Sequence, residues 1–290
     1  MFAIHEIEME NTKSVFPRLF YFLAKNIAET CGRGGEGAVR AGVRAFATDR
    51  GRNLKQAHRT SGKLTNVKTY QCAPDQPRDT RQREKILQLH EEVCLKEVYT
   101  CPYADEWGRY NACDIGQWFC EEFEKARFEA YTEGVGQMHL SQSLTENRNN
   151  HCRLAMYYRK ANISQAAAEE AFSEDRFQPA KESDWCEDFW LTESERCLGL
   201  YRSLYSAAVT SFGELGRCAV VAGLKEFAED ALQVMASQAK RTLRPCDVAF
   251  AEKNFPLDLV AGGNNPDDAA ALLEKHVLAV IRKKLDKPVS

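Results

Sequence analysis

The chain has 290 residues, with 39 Lys and Arg against 42 Asp and Glu, a net charge of −3, and 44% hydrophobic residues. This is the composition of an ordinary folded protein and excludes an intrinsically disordered one. The near-neutral charge gives no bulk attraction to nucleic acid or to anionic lipid, so neither is expected as a partner.

No stretch approaches the roughly eighteen uncharged apolar residues a membrane-crossing helix needs. The start, Met1-Phe2-Ala3-Ile4-His5-Glu6, lacks a basic segment followed by an apolar one, so no secretory signal is expected. The 11 cysteines are odd in number and include no C-x-x-C pair. That pattern reads as free thiols in a reducing, cytoplasmic setting, most of them buried as small hydrophobes, and gives no support for a zinc knuckle.

Phe16, Leu19, Phe20, Leu23 and Ile27 recur at helical spacing and predict a first helix, ended by Cys31-Gly32. Val39, Val43, Phe46, Leu54 and Ala57 predict a second. The glycine-rich run 31–37 between them lacks the Gly-Lys-Ser/Thr end of a phosphate loop and reads as an interhelical turn. Residues 1–70 hold 12 Lys and Arg against 6 Asp and Glu, a mildly basic solvated face.

Residues 71–80 form a proline-rich connection, and a short charged segment follows it. Residues 92–101 are rich in β-branched and aromatic side chains and predict a strand closed by Pro102. From Ile115 to Tyr131 the pattern is helical again. Phe119, Phe123, Ala126 and Ala130 make the apolar stripe, and Gly116, Cys120, Glu124, Arg127 and Tyr131 make an adjacent one.

Two strands at 137–144 and 151–159 flank a polar turn at 145–150. Alternation places Met138, Leu140, Leu144, Cys152, Leu154, Met156 and Tyr158 on one side. His139, Ser141, Ser143, His151, Arg153, Tyr157 and Arg159 fall on the other.

Residues 165–200 are acidic, with 10 Asp and Glu against 3 Lys and Arg; with Trp185 and Trp190 they read as a packed connector. Thr192-Glu193-Ser194-Glu195 fits a capping box opening a helix with Leu198, Tyr201, Tyr205, Ala208 and Phe212 on one face. A helix over 215–243 follows, and a last one is expected to start at Asn265-Pro266. The pattern Gly35-x-x-Ala38-Val39-x-Ala41-Gly42-x-x-x-Phe46-Ala47-x-Asp49 returns 181 residues later, from Gly216 to Asp230. One reading is a chance likeness of two alanine-rich helices; the other is two related helical hairpins packed around one sheet.

Cysteines, carboxylates and aromatics concentrate in residues 101–124. Cys120 lies near a helix start, where the helix dipole favours an anion, so it is a candidate nucleophile as well as a candidate packed cysteine. His139 and His151 share a strand face with Arg153 and Arg159, which suits proton movement and the gripping of a substrate carboxylate; a solvent-facing hairpin is the plain alternative. The six histidines are dispersed, so no local spacing marks a metal site, and no cofactor motif is present.

Cys101-x-Tyr103-Ala104-Asp105, Ile115-Gly116-x-x-x-Cys120 with its carboxylates, the Cys152-Arg-Leu-Ala-Met-Tyr-Tyr strand and the segment 46–54 with Arg50-Gly51 together resemble the L-2-amino-thiazoline-4-carboxylic acid hydrolases, over roughly residues 35–160. The resemblance implies hydrolytic opening of a small cyclic amidine to a carbamoyl-cysteine. Its candidate catalytic residues are Cys120, Asp105, Glu124 and His139, and its candidate substrate-binding residues are Tyr103, Arg153, Arg159, Cys101 and Cys152.

The expected architecture is α+β: a mainly antiparallel sheet flanked by helices, with additional C-terminal helices. The expected domains are a 1–160 core and a 161–290 helical region. The expected partner is a small carboxylate-bearing substrate, with no metal, no cofactor and the dimeric state open. Two further readings stand beside the enzyme. One is a small-ligand or metal-binding sensory domain built on the same Cys and His groups. The other is a dimeric scaffold whose C-terminal helices form an interface.

Overall fold

The computed structural model describes residues 13–146, 149–172, 190–256 and 267–286. In chain order it contains α1 (Val15–Cys31), α2 (Gly35–Thr60), α3 (Val67–Cys72), β1 (Arg83–Leu89), β2 (Val93–Thr100), α4 (Pro102–Arg109), α5 (Cys113–Tyr131), β3 (Gln137–Gln142), β4 (Cys152–Tyr157) and α6 (Gln165–Phe172). Then follow α7 (Glu193–Phe212), α8 (Glu214–Arg241), α9 (Val248–Asn254), α10 (Asp268–Leu273), a π-helical turn (Glu274–Leu278) and α11 (Ala279–Leu285). The α+β architecture with a mainly antiparallel sheet and extra C-terminal helices is as expected.

The chain forms two compact units: residues 1–42 with 192–290, and residues 43–191. This division differs from 1–160 and 161–290, because the N-terminal helix α1 packs with the C-terminal helices α7 and α8.

In the helical unit, α1 packs along α7 and α8, and α9, the π-helical turn and α11 pack on α8. The apolar stripe of α1 is buried as its spacing predicts: Phe16, Leu19, Phe20, Leu23 and Ile27 are all within 1% of full burial. Thr192 and Glu195 form the reciprocal capping box at the start of α7. The buried face of α7 is set by Cys197, Leu200, Tyr201, Leu204 and Ala208, one position off the predicted stripe. Asn265, Pro266 and Trp185 lie outside the described residues; α10 is capped by Asp267, whose carboxylate accepts from the Ala270 N–H.

The 181-residue repeat is structural. Gly32 and Gly213 each end a helix with φ near +60° (61° and 57°), and each donates its N–H to a carbonyl four residues back, Ala28 and Val209. A left-handed turn of this kind favours glycine at both places. A Cβ on Gly42 would meet the Leu204 Cα at 2.9 Å, and one on Gly223 would meet the Leu23 Cα at 3.1 Å. Leu23 and Leu204 are themselves 181 apart, so the second helix of each hairpin lies against the first helix of the other, with a pseudo-twofold relation. The two hairpins therefore pack on each other through α1, α7, α8 and the start of α2, while the rest of α2 belongs to the sheet unit.

In the second unit the sheet order is β1-β2-β4-β3, every pair antiparallel. Cys94 faces Met156, Lys96 faces Leu154, and Val98 faces Cys152; across the next pair Met138 faces Met156 and Leu140 faces Leu154. These residues line the inner side, which packs with Leu54, Tyr70, Phe128 and Tyr131 from the helices. β1 lies in the charged segment that carried no strand expectation, and its exposed side chains, Ile86 and Leu87 among them, explain the missing signal. α4 was also not expected; Pro102 closes the strand and at the same time occupies the first helical turn.

Candidate functional site

Three sequence segments converge on the inner side of the sheet. Cys101 follows β2 and is the N-cap residue of α4, with the first-turn N–H groups of Tyr103 and Ala104 close to its side chain. Cys120 comes from α5, and Cys152 opens β4. Gly116 lets α5 approach α4, since a Cβ there would overlap the indole of the fully buried Trp107.

Ser143 and Thr145 complete the cluster. Both are buried, their hydroxyls lie 2.6 Å apart, and they neighbour Cys120, where they favour its ionised form. Cys152 accepts the Leu144 N–H at 3.2 Å. Strict alternation put Ser143 on the outer side. A register shift between Leu140 and Gln142 sets two β3 steps against one step of β4, and that bulge turns Ser143 inward.

The thiols are held neutral. Burial pushes the Cys120 thiol well above its ordinary range, and the neighbouring Cys101 and Cys152 add to this; the hydroxyls of Thr145 and Ser143 oppose it. Burial raises Cys101 to about 11 against the pull of the Ala104 and Tyr103 N–H groups. It raises Cys152 as well, against the Leu144 N–H, Ser143 and the Lys96 charge. Desolvation outweighs hydrogen bonding at all three. Among the described residues no group of three or more His, Cys, Asp or Glu side chains is arranged to hold a metal ion.

Further along the same stripe of α5, Glu124 accepts from the Tyr70 hydroxyl at 3.3 Å and lies 3.9 Å from Arg127. Arg127 is buried, and its Nη2 donates to Asp75 at 2.6 Å; Asp75 in turn accepts from Arg50 at 2.8 Å and 2.5 Å. Lys96 projects inward from β2 to Gln71 (3.2 Å) and Glu84 (3.7 Å). Asp75 and Lys96 carried no sequence signal, because an aspartate in a proline-rich loop and a lysine in a strand both read as solvent-facing.

The remaining expected residues lie elsewhere. His139 is exposed on the outer side, its ring beside Tyr157. Arg153, also outer, grips Glu97 at 2.6 Å and 3.1 Å, and Glu97 further accepts from Tyr99 at 2.5 Å. Arg159 stacks over Tyr157 and sits 3.6 Å from Glu92. Asp105 is exposed, and Tyr103 packs edge-on to Phe119. The pocket expected between the Cys-bearing helix and the His- and Arg-bearing strand face does not form, because the sheet itself stands between them.

The basic surface of α2 borders an open groove of about 800 Å³ against α5. Its cations are already matched: Lys55 to Glu133 at 3.0 Å, Arg59 to Glu170 at 2.7 Å and Arg44 to Glu122 at 2.8 Å.

Residues 13–164 match the family model of L-2-amino-thiazoline-4-carboxylic acid hydrolase, and the chain belongs to that family. No curated protein and no solved structure matches it. No helix among the described residues is long and apolar enough to cross a membrane.

Proposed function

We propose that the protein hydrolyses a small cyclic amidine of the 2-aminothiazoline-4-carboxylate class, with Cys120 as the attacking group. The observation that carries this reading is the convergence of Cys101, Cys120 and Cys152 with Ser143 and Thr145, from three separate segments of the family-matched region.

In this reading the Cys120 thiol gives its proton to the amidine nitrogen of the ring as its sulfur adds to the ring carbon between nitrogen and sulfur. The ring C–N bond breaks as the nitrogen takes a proton, for which Glu124, one turn further along α5, is the candidate donor. Water then adds to the same carbon and expels the Cys120 sulfur, leaving a carbamoyl-cysteine. Ser143 and Thr145 donate to the thiolate as it forms and so offset part of its desolvation.

Turnover of 2-aminothiazoline-4-carboxylate by the purified protein tests the reading. Cys120→Ser is expected to lower kcat on the order of a thousandfold or more with the circular dichroism spectrum unchanged. Full activity in that variant would remove the nucleophile, and absence of turnover of any cyclic amidine by the native chain would remove the function.

A further inference from the structure

The thiol cluster alone supplies nothing to hold an anionic substrate, and the arginines expected from sequence lie on the far side of the sheet. Arg127 has the properties such a group needs. Its side chain is only 9% exposed, and its Nε is fully buried with no hydrogen-bond partner among the described residues. A buried N–H left unpaired is unfavourable and marks a donor awaiting an acceptor.

The rest of the guanidinium is fixed. Nη2 is held by Asp75 at 2.6 Å, and Asp75 is held by Arg50, which stacks on Phe46 and Phe123. The Arg127 plane lies 5.1 Å from the Tyr70 ring and 5.9 Å from the Phe123 ring. Helical side chains lean toward the N-terminus, and Nη1 of Arg127 indeed lies 3.9 Å from Glu124, on the Cys120 side of its own position. Cys120 and Arg127 are two helical turns apart, roughly 10 Å along the axis. The Arg127 side chain thus shares the stripe of α5 that carries Cys120, with Glu124 between them.

We propose that Arg127 takes the carboxylate of the ring substrate, with Asp75 and Arg50 as the positioning residues that hold it. This rests on the ring-hydrolysis reading, and the two are separable by experiment. The native chain and Arg127→Gln are compared on 2-aminothiazoline-4-carboxylate and on 2-aminothiazoline, which lacks the carboxylate. In parallel, binding of the unreactive thiazole-4-carboxylate and of thiazole is followed by calorimetry.

The expected result is a loss on the order of 10–100-fold in kcat/KM and in affinity for the carboxylated ring. The uncarboxylated ring should change little, so the preference for the carboxylate collapses. Asp75→Asn should shift the same preference in the same direction, with KM moving more than kcat. Equal losses on both rings, as a purely structural arginine would give, overturn the assignment, and so does an unchanged preference. If the native chain turns over neither ring yet binds thiazole-4-carboxylate through Arg127, the hydrolysis reading falls and the anion site stands. If it binds neither carboxylated compound, both fall.

Discussion

The Cα of Gly51 rests against the backbone carbonyl of Arg127, so closely that a Cβ at position 51 would overlap that oxygen. This approach of α2 to α5 brings Arg50 and Arg127 to the same aspartate. Gly51→Ala would gain roughly 1 kcal/mol in helix propensity, but the backbones must separate to admit the methyl group, an overpacking penalty of about 1–3 kcal/mol or more. The clash outweighs the propensity, because backbone cannot rotate aside as a side chain can. A lower urea midpoint with an unchanged m-value is expected; a midpoint at or above that of the native chain would show that the helices yield freely.

The pseudo-twofold relation of the hairpins predicts matched penalties. A methyl group at Gly42 meets Leu204, and one at Gly223 meets the Phe22 carbonyl at 2.7 Å. Gly42→Ala and Gly223→Ala should each destabilise the fold by about 1–3 kcal/mol. Thermal unfolding of the two variants side by side checks this, and a silent substitution at either position would break the equivalence.

Cys218 is exposed, whereas the Cys120 thiol is desolvated and held above its ordinary range. Alkylation by iodoacetamide near pH 7.5, followed by peptide mapping, should modify Cys218 early and Cys120 late. Raising the pH past 9 should accelerate Cys120, because only the thiolate reacts. Rapid labelling of Cys120 at neutral pH would contradict its neutral state.

His58 is fully buried, with Nε2 on the Ala73 carbonyl and Nδ1 on the Tyr131 hydroxyl, both at 2.8 Å. A carbonyl only accepts, so Nε2 carries the proton and Nδ1 accepts from Tyr131. Burial lowers the imidazole from 6.5 to about 4, against the pull of the Ala73 carbonyl. Between those values the unfolded chain binds the extra proton and the folded one does not. The stability tied to neutral His58 is therefore complete above about pH 6.5, falls as the pH drops toward 4, and amounts to about 3 kcal/mol. His58→Gln should lack this component, so the difference in urea midpoint between it and the native chain should narrow from pH 7.5 to pH 4.5. A constant difference would place the proton on His58 in the folded state already.

Where periodicity was strong, the sequence was sufficient. The α1 stripe, the Thr192 capping box and the β3–β4 hairpin all follow from spacing and cap chemistry. Cys120 and Cys152 were visible as residues, but their meeting with Ser143 was not, because one bulge reverses the alternation that sorts the strand. The Asp75 anchor was invisible for a different reason: its partners Arg50 and Arg127 lie 25 and 52 residues away, and nothing local marks a loop aspartate as buried. His139 and Arg153 were chemically plausible, but alternation alone does not say which side of a sheet a helix will cover.

Because the ribbon carries its sulfurs inward and its imidazole at position 139 outward, the two can be altered independently. A fluorophore attached at residue 139 would sit one strand's thickness from the thiols without entering their space. It would serve as a bystander reporter, sensing ligand arrival through any flexing of the backbone between them.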